Sequence, residues 1–277
     1  MEEVAYELRR ANLTLRGQRT ARAGLPILCL HGVLDNSASF GPLSVRMADA
    51  NLIAIDLPGH GLSDHLNSAI YNPLEYAANV LELAESQGWE QFHLIGHSLG
   101  GTLASLIAGI HPEKIARLVL IDAIGPLPAS AEQTRGDVAR YLSTYLKGKE
   151  HPVYRTRFQA VKARIQLADI LAETAETLIE RDLKEVPGGY SWRHDVRLKY
   201  PTVLALSEEE ILEFLRNIKA PTLLVKAART ALREEFYPRR IDSVPDLTQV
   251  TFAGGHHLHM ENADPVAAAI REFLDLD

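Results

Sequence analysis

A single cysteine, Cys29, stands in the 277 residues, so no disulfide can close within the chain. It lies in the apolar run Ile27-Leu28-Cys29-Leu30, where a buried strand thiol is expected. Only two tryptophans occur, Trp89 and Trp192, and both are expected to pack rather than to offer a platform to a substrate. No apolar run approaches the roughly 18–20 residues that cross a bilayer. The opening Met1-Glu2-Glu3-Val4 lacks the basic-then-apolar order of a signal peptide, so a reducing, cytoplasmic location is the expectation. Positive charge is also in short supply, with 29 Lys and Arg against 36 Asp and Glu and a net charge of −7. That balance argues against nucleic acid as a partner, because phosphate binding needs clustered cations. The short clusters Arg16–Arg19–Arg22 and Arg239–Arg240 read as solvated loop positions. No internal repeat and no low-complexity tract is present.

What is there suits one α/β domain with an insertion. Short apolar runs at Pro26–Leu30, Leu52–Ile55, Phe92–Ile95, Leu118–Ile121, Thr222–Val225 and Gln249–Phe252 alternate with helical patterns. This predicts a mostly parallel central sheet flanked by helices. Tyr6–Leu15 alternates as one or two antiparallel edge strands. Pro73–Gln87, Leu99–Ile110 and Pro265–Leu274 carry helical spacing, with Pro73 suited to a first turn. From about Pro126 to Leu215 no strand-like run appears. Asp137–Leu146, Arg155–Asp169, Leu171–Leu183 and Glu208–Leu215 are amphipathic there, and Pro187-Gly188-Gly189 punctuates them. The pattern predicts a helical insertion after the sixth strand, over residues 126–215, in a core formed by 1–125 and 216–277.

The segment Phe92-His93-Leu94-Ile95-Gly96-His97-Ser98-Leu99-Gly100-Gly101 reads as strand, Gly-x-Ser-x-Gly, then helix. A serine on so sharp a turn projects its hydroxyl above the sheet edge, and the flanking glycines let backbone approach closely. The pattern alone also fits an ordinary glycine-rich turn. Neither a Gly-x-Gly-x-x-Gly nor a phosphate-loop lysine accompanies it, however. His31-Gly32-Val33 follows the preceding strand, and the backbone amides of Val33 and Leu99 would together hold an oxyanion. Asp56-Leu57-Pro58-Gly59-His60-Gly61 suggests a tight turn in which Asp56 is structural.

Near the end stands Gly254-Gly255-His256-His257-Leu258-His259-Met260-Glu261. His257 and His259 have strand-like spacing that could chelate, yet no further ligand cluster completes a set, so no metal is expected. A loop histidine reaching towards Ser98 is what a Ser–His pair needs, and spacing alone leaves open which one.

These residues resemble the α/β-hydrolase superfamily. His31-Gly32, Asp56-x-Pro-Gly-x-Gly-x-Ser63, Gly96-x-Ser98-x-Gly100 and Gly255-His256 occur in that family's order. Within that family the sequence resembles the serine hydrolase-like proteins and their bacterial relatives, through Leu223–Ala227, Gly188–Asp195 and Gly255–Met260. The resemblance implies Ser98 as nucleophile. It implies His256 as base, since a glycine precedes it and Glu261 follows at the fifth position. It implies a cap in the insertion, with no cofactor. The acid is open. The usual neighbourhood, Lys226 to Arg233, holds no carboxylate. Asp122, Glu234 or Glu235, or no working acid are the alternatives. The expected activity is cleavage of an ester or thioester-like acyl bond in a small, partly apolar substrate. The alternative is a ligand-binding or weakly active protein with an incomplete triad.

Overall fold

The computed structural model describes residues 1–201, 206–230 and 235–276. Ten strands are present among them: β1 (Glu2–Leu8), β2 (Leu13–Arg19), β3 (Ile27–Leu30), β4 (Leu52–Ile55), β5 (Phe92–His97), β6 (Ile115–Ile121), β7 (Leu183–Val186), β8 (Gly189–Trp192), β9 (Thr222–Ala227) and β10 (Leu247–Phe252). Eight form one sheet in the order β1-β2-β4-β3-β5-β6-β9-β10. The β1–β2 and β2–β4 pairs are antiparallel and the rest are parallel.

The helices are α1 (Gly41–Arg46), α2 (Pro73–Ser86), α3 (Leu99–Ile110), α4 (Ala131–Lys147), α5 (Arg157–Ala168), α6 (Ala172–Asp182), α7 (Glu208–Arg216), α8 (Tyr237–Ser243), α9 (Leu258–Glu261) and α10 (Ala263–Leu274). Strand β3 shows why its sequence is wholly apolar. Leu28 and Leu30 join one core cluster with Val80, Leu83, Leu103 and Ile107. Ile27 and Cys29 join a second with Leu43, Met47, Val266 and Ile270. Both faces of the sheet are therefore covered, and alternation has no solvent side on which to place polar residues. Helix α2 starts where Asn72 accepts the Glu75 N–H and Pro73 supplies a fixed φ. No described helix is long and apolar enough to cross a membrane.

After β3 the chain steps outward to β4, then returns past β3 to β5. A crevice opens at the carboxyl ends of strands where such a reversal occurs. His31, Ser98, Asp122 and the loop after β10 all emerge at that end.

Three expectations need correction. The inserted segment holds an antiparallel β7–β8 hairpin, not helices alone. Each strand has only four residues, too few to display a period, and Pro187-Gly188 is its turn. Helix α7, assigned to the insertion, packs Ile211, Leu212 and Leu215 into the main core beside α3. Arg16 and Arg19 lie on β2, while Arg239 and Arg240 lie on α8, so none of the four is a loop residue. Arg240 is buried, with its guanidinium on Glu208 and on the Ile124 carbonyl.

Candidate active site

Ser98 joins β5 to α3 with φ 52° and ψ −113°, a conformation that costs a non-glycine residue roughly 1–3 kcal/mol. A methyl group added at Gly96 would overlap the Gly100 carbonyl, and one added at Gly100 would overlap the Leu30 carbonyl. The glycines on either side of the serine are thus required by contact. The Gly100 N–H donates to the His31 carbonyl at 3.0 Å, which ties the start of α3 to the end of β3. Among the described residues, no backbone carbonyl accepts from the amides of Val33 or Leu99. His31 is held on both sides: its Nδ1–H donates to the Gly32 carbonyl at 2.7 Å and its Nε2 accepts from the Leu57 N–H at 2.9 Å.

At the end of β6 the backbone turns left-handed at Asp122, with φ 47°. Its carboxylate Oδ2 lies 2.7 Å from His256 Nδ1. Its Oδ1 accepts from Thr230 Oγ1 at 2.6 Å and from the Ala227 N–H at 3.1 Å. Burial alone would raise the Asp122 pKa. The hydrogen bonds from His256, Thr230 and Ala227 outweigh it and hold the carboxyl below its ordinary range. The structure therefore brings Asp122 and His256 together. Glu234 lies outside the described residues, and Glu235 is exposed at the start of the chain leading to α8. Ser98 and His256 are both partly exposed, and neither makes a side-chain hydrogen bond to the other. His97, the residue before Ser98, has its ring centroid 4.7 Å from that of His256.

Beneath His256 lies a buried knot that the sequence reading did not find. Asp35 pairs with Arg164 of α5, and His257 Nε2 sits 3.2 Å from its other oxygen. His97 Nε2 donates to the His256 carbonyl at 2.8 Å. The signal available was an arginine on the buried side of α5, beside Ala160 and Val161. Asp35, His97 and His257 bring possible ligand atoms within 4.8 Å of one another. That differs from the His257–His259 pair weighed from sequence. The Arg164 guanidinium already neutralises Asp35, so a divalent ion there would crowd two cations onto one buried carboxylate. The donor set fits an ion pair better than a metal.

Asp56 is structural. It accepts the Ser37 and Leu62 amides at 2.7 and 2.9 Å and pairs with Arg181 of α6 at 2.8 Å. Trp192 is buried and Trp89 packs against the main core. The inserted segment is fastened over this end of the sheet by Arg164, by Arg181, and by the Leu178 carbonyl, which accepts from Asn36 Nδ2 at 2.8 Å. A surface cavity of about 480 Å³, lined by Lys149, His151, Lys184, Trp192 and His194, lies elsewhere and includes neither Ser98 nor His256.

The sequence matches the alpha/beta hydrolase fold family over residues 26–263. It is 30% identical to a serine hydrolase-like protein of Danio rerio, across 94% of this chain and 85% of that protein. The crystal structure of a hypothetical protein from Pseudomonas aeruginosa PAO1 superposes with a TM-score of 0.92 at 36% identity, covering 99% of this chain and 100% of the other. A thioesterase domain from the curacin biosynthetic pathway superposes with a TM-score of 0.84 at 26% identity, covering 98% of each. This chain belongs to the α/β-hydrolase family, among its serine hydrolase-like members.

Proposed function

We propose that this protein hydrolyses an ester or thioester bond of a small, partly apolar acyl substrate through Ser98, His256 and Asp122. Ser98 Oγ attacks the carbonyl carbon as its proton passes to His256 Nε2. The amides of Val33 and Leu99 receive the negative oxygen of the tetrahedral intermediate, aided by the N-terminal end of α3. His256 then gives its proton to the departing alcohol or thiol, leaving an acyl group on Ser98. Water, deprotonated by His256, attacks that ester and returns the serine. Asp122 holds the imidazole in the tautomer with Nδ1–H and balances its charge when it becomes an imidazolium. Helices α4, α5 and α6 with the β7–β8 hairpin act as a cap that keeps bulk water from the acyl-enzyme.

The observation that carries this reading is the 2.7 Å contact between Asp122 and His256, beside a serine held in a strained elbow. With that carboxylate at the imidazole, the incomplete-triad alternative loses its main support. The likeness to a thioesterase domain supports acyl transfer to water, with the alcohol or thiol left open.

The test is turnover of p-nitrophenyl acetate and butyrate and of an acyl-thioester. Wild type should turn over at least one class and take up a fluorophosphonate label, and Ser98→Ala should do neither. Equal rates for wild type and Ser98→Ala on all of them would defeat the reading.

A further inference from the structure

The geometry points to His97 as a positioning residue that clamps the His256 loop from below, together with the Asp35–His257 pair. The proposal rests on His256 as base, but the contacts at issue are not those of the triad.

His256 is attached at three places. Its ring meets Asp122, its carbonyl meets His97, and the next residue, His257, meets Asp35. Its loop is also tied by the Arg229 N–H to the Gly254 carbonyl at 3.1 Å and by the Leu258 N–H to the Gly255 carbonyl at 3.0 Å, but neither bond holds residue 256 itself, whose main chain could shift with the ring bond to Asp122 kept. The bond from His97 removes that freedom, because it grips the backbone of residue 256 itself.

His97 can do this because of where it stands. It is the last residue of β5, directly before Ser98, so nucleophile and base are referred to one rigid strand. The ring is fully buried. On one side a methyl at Gly32 would already crowd His97 Nδ1 and Asp35 Oδ2, so the ring is seated against the loop that carries the Val33 amide. On the other, the rings of His257 and His259 lie with centroids 5.0 and 4.2 Å away. Only a donor satisfies a carbonyl oxygen, so Nε2 carries the proton. Burial lowers the His97 pKa to about 4 against the opposing pull of Asp35, leaving a neutral ring with that single N–H at neutral pH.

Asp35 supplies the second grip. It closes the Gly32–Asp35 turn, accepts from His257, and is fixed by Arg164 from the inserted segment. Oxyanion loop, nucleophile strand, base loop and cap thus converge on two buried side chains. A misplacement of a reacting group by about 1 Å can cost on the order of 100-fold in rate.

The test compares His97→Gln, which keeps a donor near the Nε2 position, with His97→Met, which has the same reach and no donor, and His97→Phe, which keeps a ring without one. Ester kinetics, thermal midpoints and the low-field proton resonance of His256 Nδ1–H would be recorded, the resonance being assigned by its loss in His256→Asn. His97→Met and His97→Phe should lose about 100-fold in kcat with KM within about twofold, and the resonance should shift or broaden. His97→Gln should recover most of the rate and the resonance. An unchanged resonance and kcat in the donor-free variants would overturn the proposal. So would equal loss in all three, or equal unfolding of all three, since His97 would then be a packing residue. If turnover proves independent of Ser98 while the resonance still follows the donor, the clamp stands and the hydrolytic reading falls.

Discussion

Asp122 occupies a left-handed position at a strand end, a place where aspartate is tolerated better than most residues, and it spends both carboxylate oxygens on the neighbouring loop and ring. Replacing it with Asn keeps the shape but offers an amide N–H or a weaker acceptor to His256, so the imidazole loses its fixed tautomer. Asp122→Asn should lower kcat by on the order of 10⁴. Thr230→Val removes one donor to a charged group, a bond worth about 1.5–3 kcal/mol, and should cost roughly ten- to a hundredfold. Glu235→Gln should stay within about twofold, because Asp122 already occupies His256 Nδ1. Steady-state ester kinetics on the three variants separate these outcomes. Because its hydrogen bonds keep Asp122 ionised below the ordinary carboxylate range, loss of activity in mild acid should not come from this residue.

At the scale of elements, α8 packs Tyr237 into the main core and is tied to α7 and to the chain after β6 by a buried arginine. Arg240 Nη1 donates to the Ile124 carbonyl at 2.7 Å, and its other nitrogens hold Glu208, the first residue of α7, at 2.6 and 3.0 Å. Arg240→Met leaves a half-enclosed carboxylate and a carbonyl without their donor and should destabilise by about 3 kcal/mol. Its neighbour Arg239 makes an exposed pair with Glu209, and Arg239→Met should stay within about 0.5 kcal/mol. Urea midpoints compare the two directly. The same pair of residues marks the limit of reading by pattern. Strands buried on both faces announce themselves as unbroken apolar runs, and α3 was legible from Leu99 to Ile110 because its period and its glycine-rich start are local. The strand–Gly-x-Ser-x-Gly–helix unit is local too, which is why Ser98 could be singled out. The partner of His256 could not be fixed in this way. It depends on β6 lying beside β9, which brings Asp122 against the loop after Ala227. Arg164 and Asp35 are 129 residues apart, and Arg240 and Glu208 are 32 apart, separations over which no hydrophobic period carries information. The β7–β8 hairpin failed for the opposite reason, being too short for its own period to show.

Across the whole molecule, histidines are buried in unusual company. His31, His60, His97 and His259 are all fully enclosed, and burial lowers each pKa below the ordinary value of 6.5, to about 4 at His97. His259 has neither ring nitrogen paired and rests against Phe40. The unfolded chain takes up protons on these rings as the pH falls through about 6.5, while the folded state keeps them neutral to lower pH. Unfolding therefore binds protons, and stability must decline on acidification through this window, by up to about 1.4 kcal/mol per pH unit for each ring that stays neutral. Carboxylates enter later. Hydrogen bonds and ion pairs depress Asp35 and Asp122 despite their burial, so their contribution is intact above about 3.8 and is lost only as the pH falls through their lowered folded values. The dependence between pH 6.5 and 4 should thus belong to histidine. Urea denaturation at pH 7.5, 6.5, 5.5 and 4.5 should show stability falling gently over the first step and with growing slope below it. His259→Leu, close in volume and free of protons, should lessen that slope by nearly one proton's worth while leaving the curve above pH 7 parallel to wild type. A slope unchanged in His259→Leu would mean that this ring is already protonated in the folded protein throughout that window.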